Sequence, residues 1–247
     1  MASGRDIDAN QPATSVYTRL ANVNEIRLLH LQPGSSDGPI VCQLLHANIL
    51  DNPQYEALSY MWGSKDSPQQ IELNGTVLEV RNNLWQALYY LRLTDSTRIL
   101  WIDALCIKQD DMNERNHQVS QMGKIYENAS CVVAWLGLSD TSSRMAIEYF
   151  NNFQPTIPKH TKHIFQGKEF YSLDPEIDIP DEVVDAITSF CSREYWTRLW
   201  IIQELVIASH ITLLCGLSVC DWSKFSLFID YLEDQEKRTG MVLLRWE

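Results

Sequence analysis

The chain has 247 residues, of which 45% are apolar and 21% charged, which excludes a disulfide-stapled miniprotein, a disordered chain and a collagen-like scaffold. Its length fits one large domain or two small ones. The formal charge of −12 argues against binding of nucleic acid or anionic lipid over the whole surface.

The sequence contains neither a membrane span nor a secretion signal. The most apolar window, residues 199–217, is interrupted by polar side chains and falls short of the ~18 consecutive apolar residues that a span requires. Residues 1–15 are polar and lack the apolar core of a secretory signal. We therefore expect a cytoplasmic protein with no membrane partner and no nucleic-acid partner.

The cysteines and the acidic residues form no metal-binding pattern. None of the six cysteines belongs to a C-x-x-C pair, and reduced structural thiols are expected in a cytoplasmic chain. The stretch QDDMNERNHQ lacks the flanking glycine of a calcium loop, so it indicates the solvated start of a helix. We expect no bound metal.

The N-terminal third of the chain predicts mainly β-structure. Residues 1–15 read as a disordered leader, after which EIRLLHLQPGSSDGPIVCQLLHANI contains two β-rich runs around a turn and predicts a hairpin. YEALSYMW follows as a short buried strand that ends in a loop at Gly63. In IELNGTVLEV, Asn74 and Gly75 between alternating runs predict a second hairpin with a two-residue turn.

Helices and strands alternate in the centre of the chain. A helix capped by Asn82 or Asn83 precedes RILWIDALCI, a nearly continuous apolar run that predicts a strand buried on both faces. A helix that begins at Asn113, the strand CVVAWLG and a helix over 141–150 follow. This alternation is typical of an α/β domain.

The C-terminal part predicts an inserted loop followed by helices and one strand. Residues 151–180 carry four prolines and no sustained periodicity, which indicates the loop. Asp181 can cap a helix through Phe190, and a second apolar helix is predicted from Trp196 to Ile207, before the strand ITLLCGL. We place one domain at 16–230 and expect 231–247 to be the start of a further region.

The first candidate site residue is Glu204, which follows Trp200 by four residues on the predicted apolar helix, so that ring and acid share one face. The familiar phosphate-binding, hydrolase and zincin motifs are absent from the sequence. Glu204 is either a surface residue paired with Arg198 or Arg193, or a carboxylate beside an aromatic platform in a cleft. A carboxylate of the second kind suits a sugar hydroxyl or a developing positive charge.

Two strand ends supply the other candidates. Asp103 is a lone acid in an apolar run, so we expect it near the carboxyl end of its strand, where open α/β sheets bind ligands. The alternative is that Asp103 is a structural residue that fixes the next loop through hydrogen bonds. Ser59, Tyr60, Trp62 and Gly63 end the first buried strand and either line a ligand site or belong to the aromatic core.

These segments together resemble the fungal heterokaryon incompatibility (HET) domain. The resemblance covers residues 25–222 and rests on the runs YEALSYMWG, NNLWQALYYLR, LWIDALCIKQDDMNERNHQVSQMGKIYENASCVVAWLG and YWTRLWIIQELVIAS, which occur in this order. The order and length of the runs make the match much more specific than a single short motif.

The HET domain is in turn similar to the Toll/interleukin-1 receptor (TIR) domain. EALSYMWG is similar to the first-strand box of TIR domains, and WIDALCIKQDD is similar to their second strand and the loop beyond it. Trp200 and Glu204 repeat the spacing in the TIR helix that carries the catalytic glutamate of NAD-cleaving members. Ile201 stands where many TIR domains have cysteine.

The resemblance implies a fold and a function. The implied fold is a three-layer, flavodoxin-like α/β domain with a mainly parallel central sheet, extended by the N-terminal hairpins and the 151–180 insertion. The implied role is that of an effector of fungal nonself recognition and regulated cell death, which hydrolyses NAD as its substrate and requires no cofactor. The implied catalytic residue is Glu204, and the implied pocket residues are Ser59, Tyr60, Trp62, Gly63, Asp103 and Trp200.

The alternative function is that of a non-enzymatic signalling module. Such a module triggers cell death by self-association, or by binding a regulatory partner protein of the incompatibility system. The acidic surface and the missing phosphate-binding loop are compatible with this alternative.

Overall fold

A computed structural model describes residues 16–155, 160–165, 168–173 and 179–239. The predicted leader at 1–15 and residues 240–247 of the predicted further region lie outside the described residues. The strands are β1 (Glu25–Leu31), β2 (Val41–Asn48), β3 (Glu56–Tyr60), β4 (Gln69–Leu73), β5 (Thr76–Val80), β6 (Arg98–Trp101), β7 (Cys131–Trp135), β8 (His160–Phe165), β9 (Lys168–Leu173), β10 (Ile211–Cys215) and β11 (Ser218–Asp221).

Seven α-helices occur in the described part of the chain. They are α1 (Asn82–Leu91), α2 (Asp103–Cys106), α3 (Met112–Asn128), α4 (Thr141–Asn152), α5 (Asp181–Cys191), α6 (Ile201–Val206) and α7 (Trp222–Thr239). Short 3-10 turns cover Ile49–Asp51 and Glu194–Thr197. Within these described ranges, no helix is both long and apolar enough to cross a bilayer.

A nine-stranded mixed sheet forms the centre of the α/β fold, in the order β11-β10-β7-β3-β6-β1-β2-β4-β5. The neighbours β10, β7, β3 and β6 run parallel to one another, whereas β11 and β1 are antiparallel to the ends of this block. The parallel block is thus confirmed, within a sheet that also contains antiparallel pairs at both ends of the block. The more specific flavodoxin-like assignment stays a prediction.

Both predicted N-terminal hairpins are confirmed, and they extend one edge of the sheet. The hairpin β1–β2 pairs from Glu25 opposite Asn48 to Leu31 opposite Cys42. In the hairpin β4–β5, Asn74 and Gly75 have φ values of 51° and 76°, the left-handed conformation that a tight two-residue turn needs.

The inner strands of the parallel block are buried because they are apolar on both faces. In β3 the residues from Ala57 to Tyr60 are buried, and in β7 those from Val132 to Trp135. Ser59 is the polar exception among these buried residues of β3. The core therefore surrounds the strand that carries a candidate site residue.

Two predicted elements in the central part were wrong in detail. RILWIDALCI is not one strand, because β6 ends at Trp101 and α2 begins at Asp103. Asp103 accepts a hydrogen bond from the backbone N–H of Ala104 (2.7 Å), which stabilises the turn at this point. Helix α3 begins at Met112 rather than Asn113, since the carboxylate of Asp111 is the cap.

Two predictions in the C-terminal part also need correction. The single helix predicted from Trp196 to Ile207 is broken, because Arg198 has extended backbone (φ −73°, ψ 130°) between a 3-10 turn and α6. The segment 151–180, predicted as a loop, contains the strands β8 and β9, which pair with each other in a separate two-stranded sheet. Helix α5 is confirmed, with Pro180 rather than Asp181 at its cap position.

Candidate functional site

The topology brings three of the predicted site residues to one edge of the sheet. Ser59 lies near the end of β3, and Asp103 follows the end of β6 by two residues. Because β3 and β6 are parallel neighbours, their carboxyl ends meet at the same edge. Helix α6 adds Glu204, whose carboxylate contacts Ser59 across 145 positions of sequence.

Glu204 is buried at 1% exposure and forms a bidentate ion pair with Arg198. The guanidinium donates hydrogen bonds to Oε1 (2.8 Å) and Oε2 (3.0 Å), and the Ser59 hydroxyl also donates to Oε2. The partner expected for a surface glutamate is therefore correct, but the pair lies in the interior. This geometry fixes the carboxylate in one orientation.

Ser59 and Tyr195 complete a buried network behind the carboxylate. The Ser59 Oγ lies 2.7 Å from the Tyr195 hydroxyl and accepts a hydrogen bond of 3.1 Å from Arg198. Burial raises the pKa of Tyr195 well above its usual value, so its hydroxyl stays protonated. Burial alone lowers the pKa of Arg198, but the Glu204 carboxylate outweighs this effect and the guanidinium stays charged.

Asp103 is a second carboxyl group beside the same space. Its Oδ2 accepts a hydrogen bond from Nε1 of Trp62 (2.9 Å), and the backbone N–H of Ala104 donates to Oδ1. Burial is the main reason why the pKa of Asp103 lies above its usual value, and the charge of Glu204 raises it further. The protonated form is therefore more accessible than in an ordinary aspartate.

A cavity of about 360 Å³ opens between these groups. It lies within the size range of small-molecule sites. Both carboxyl groups and two indole rings border it, and its lining residues are Met61, Trp62, Asp103, Ile107, Gln109, Arg115, Val119, Met122, Arg198, Trp200 and Glu204. The cavity thus combines flat aromatic surfaces with two acids and two arginines.

The remaining predicted residues lie outside this cavity. Ser59 is fully buried behind Glu204. Tyr60 lines a neighbouring cavity, and burial raises its pKa well above the usual value. Gly63 has a φ of 73° in the loop after β3 and lines neither cavity. Its carbonyl accepts a hydrogen bond from Arg81, so its role is in the loop's conformation.

Tyr195 and Gln109 are site residues that sequence reasoning missed. Tyr195 contacts Ser59, and Gln109 borders the cavity while its Nε2 donates to the Asp103 carbonyl (2.7 Å). Periodicity does not indicate either residue, because a 3-10 turn presents Tyr195 and a loop presents Gln109. Among the residues that the structure describes, no three His, Cys, Asp or Glu side chains form a metal-binding group.

Comparison with known proteins identifies the family. The family model described as "Heterokaryon incompatibility protein (HET)" matches residues 55–204, a range that begins just before β3 and ends at Glu204. The chain is also 30% identical, over 240 residues, to heterokaryon incompatibility protein 6, OR allele, of Neurospora crassa. That alignment covers 84% of this chain but 35% of the relative's length. No solved structure matches the chain. The chain belongs to the heterokaryon incompatibility (HET) family.

Proposed function

We propose that this chain acts as an effector in fungal heterokaryon incompatibility and that it hydrolyses NAD in the cavity beside Glu204. The family assignment and the named Neurospora crassa relative support the incompatibility role. One observation carries the enzymatic part. A buried carboxylate, oriented by Arg198, borders a cavity of about 360 Å³ together with two indole rings and a second carboxyl group.

The chemistry of glycosidic cleavage fits these side chains. When the bond between nicotinamide and ribose breaks, the ribose carbon develops positive charge, and a fixed carboxylate such as Glu204 stabilises it. The bonding electrons leave with nicotinamide, which becomes neutral, and water adds to the ribose carbon with release of a proton. Trp62 and Trp200 can hold the cationic nicotinamide ring by cation–π contact.

The test is nicotinamide release from NAD by concentrated purified protein. Glu204→Gln keeps the size and an acceptor oxygen of the side chain, whereas alanine would leave Arg198 without its partner. We expect release to fall by about 10²–10³-fold, the range seen when one group that stabilises the transition state is removed. Glu194→Gln, on the neighbouring 3-10 turn at an exposed position, is the matched control. Equal release by Glu204→Gln and wild type would refute the proposal.

A second candidate function, signalling by self-association, has its own supporting observation. Around α6, the side chains of Leu199 (81%), Trp200 (53%), Ile202 (65%) and Val206 (76%) are exposed. Apolar groups clustered on a surface are typical of protein interaction sites. In this function a second copy of the chain covers them, and death signalling requires assembly rather than turnover.

Light scattering at several protein concentrations tests the second candidate. Ile202→Asp should reduce the apparent mass at high concentration, whereas Val77→Asp on β5, exposed to a similar extent (64%), should not. A wild-type protein that stays monomeric at every concentration would exclude self-association as the signal. The cytoplasmic location and a regulatory partner of the incompatibility system stay predictions.

A further inference from the structure

A second cavity, of about 470 Å³, adjoins the first. Trp62 and Gln109 border both cavities, so these two side chains form the partition between them. The lining residues of the second cavity that bear on a ligand are Tyr60, Leu78, Glu79, Leu84, Lys108 and Asp110. It therefore lies between the β4–β5 hairpin with the start of α1 and the loop that follows α2.

The Trp62 part of the partition is positioned by Arg81 and Asp103. The Arg81 guanidinium lies 5.0 Å from the centre of the Trp62 ring and donates a 2.7 Å hydrogen bond to the carbonyl of Gly63. From the other side, the Trp62 Nε1 donates to Asp103. The Arg81 contact with the ring and the hydrogen bond from its nitrogen favour one orientation of Trp62, in which the ring separates the two cavities.

The second cavity offers a cation, Lys108, whose charge acts on the Asp111 carboxylate without a direct ion pair. Arg81 is occupied by Trp62 and Gly63, whereas the half-buried Lys108 side chain forms no hydrogen bond or ion pair with the described residues. The Lys108 backbone N–H donates to Glu114 (2.8 Å), which fixes the loop that presents the ammonium group. An ammonium group on a fixed loop suits the oxygens of a phosphate.

The rest of the lining suits a nucleoside. Tyr60, Leu78 and Leu84 provide an aromatic and aliphatic wall for a purine ring. Glu79 and Asp110 add carboxylates, which accept hydrogen bonds from ribose hydroxyls as acidic residues do in dinucleotide sites. An apolar wall, acceptors for hydroxyls and an ammonium group without a hydrogen-bonded partner among the described residues together match a nucleoside diphosphate.

We propose that the second cavity binds the adenosine diphosphate half of a dinucleotide whose nicotinamide end occupies the first cavity. This inference rests on the proposed NAD hydrolysis and assigns the half of the substrate that does not react. The pyrophosphate passes the partition formed by Trp62 and Gln109 and pairs with Lys108. Binding of the distal half holds the reacting ribose against Glu204, which is how remote contacts contribute to catalysis.

Calorimetric titration with ADP tests the inference without any need for turnover. Wild type and Glu204→Gln should bind ADP equally, because Glu204 does not line the second cavity. Lys108→Met should weaken ADP binding about tenfold or more, since it removes a charge-assisted contact with phosphate. Leu78→Trp, at a half-buried position, should abolish binding by filling the cavity. Lys124→Met, at an exposed position on α3, is the matched control and should bind as wild type does.

The outcomes separate this inference from the proposed hydrolysis. ADP affinity that is unchanged in both Lys108→Met and Leu78→Trp, or wild type that binds no ADP, overturns the second-cavity site even if nicotinamide release depends on Glu204. Conversely, wild type can bind ADP in a way that depends on Lys108 and Leu78 and yet release no nicotinamide. That result would support the nucleotide site and refute NAD hydrolysis.

Discussion

The ion pair between Arg198 and Glu204 gives the sharpest test of what holds the site together. Glu204 is buried, and Arg198 supplies two of its hydrogen bonds. In Arg198→Met the cation is lost, and the Ser59 hydroxyl is the one remaining donor to this carboxylate among the described residues. We expect the free energy of unfolding to fall by about 3–5 kcal/mol, the cost of breaking a buried pair from one side.

Two further variants test whether the unpaired charge of Glu204 causes the loss of stability in Arg198→Met. Glu204→Gln should cost less, about 1.5–3 kcal/mol, because the guanidinium that it leaves without a counter-charge is more exposed (13%) than the carboxylate (2%) and keeps an acceptor oxygen. The double variant Arg198→Met/Glu204→Gln contains neither charge. It should therefore be more stable than Arg198→Met alone, so the costs of the two single changes should not add.

Urea unfolding at pH 7, followed by tryptophan fluorescence, measures these differences. Lys237→Met removes an exposed ion pair with Glu233 and should change the free energy of unfolding by less than about 0.5 kcal/mol, which makes it the control. The reasoning is refuted if Arg198→Met unfolds at the same urea concentration as wild type. It is equally refuted if the double variant is less stable than Arg198→Met.

Three further predictions concern pH and backbone conformation. Burial alone would raise the pKa of Glu114, but its hydrogen bonds lower the pKa below the usual 4.5. In acid titrations, wild type should therefore lose stability relative to Glu114→Gln as pH falls below 4.5. The raised pKa of Asp103 should have the opposite effect on stability. Relative to Asp103→Asn, wild type should lose stability as pH rises above 3.8 and through the raised pKa. A stability difference that is the same at pH 3 and pH 7 would contradict this. Gly216→Ala should lower the melting temperature more than Gly75→Ala, although both glycines have positive φ. A Cβ at position 216 would lie 2.9 Å from the Ser139 nitrogen, whereas a Cβ at position 75 would meet no atom within 4 Å.

Local chemistry explains which elements were predictable from the sequence. The hairpin at Asn74 and Gly75 is correct because the turn depends on two adjacent residues. The strand predicted for RILWIDALCI is wrong because apolar composition does not mark where a buried strand becomes a buried helical turn. Asp103 was the local sign of that change, since an acid in the interior requires backbone donors.

Long-range contacts explain what the sequence did not predict in the site. The apolar spacing from Trp196 to Ile207 favours one helix, but the extended Arg198 interrupts it. The extended backbone lies where the Arg198 guanidinium contacts both Glu204 and Ser59, and Ser59 belongs to a strand 139 positions earlier. A pattern within one helix contains no information about that strand. For the same reason, sequence reasoning named Arg198 or Arg193 as a partner only for a surface glutamate, whereas the Arg198 pair lies beside the cavity that the second interpretation of Glu204 required.

The two carboxyl groups at the cavity are held in different ways, and this difference bears on their roles. The Arg198 guanidinium compensates the charge of Glu204 directly, whereas Asp103 has the Trp62 N–H and a backbone N–H but no cation at hydrogen-bond distance among its described partners. Burial and the neighbouring charge of Glu204 raise the pKa of Asp103. Paired acids in unequal environments divide their tasks, one acting as a fixed charge and the other as a proton carrier. In the proposed reaction Glu204 therefore faces the developing positive charge, and Asp103 is suited to receive the proton that the attacking water releases.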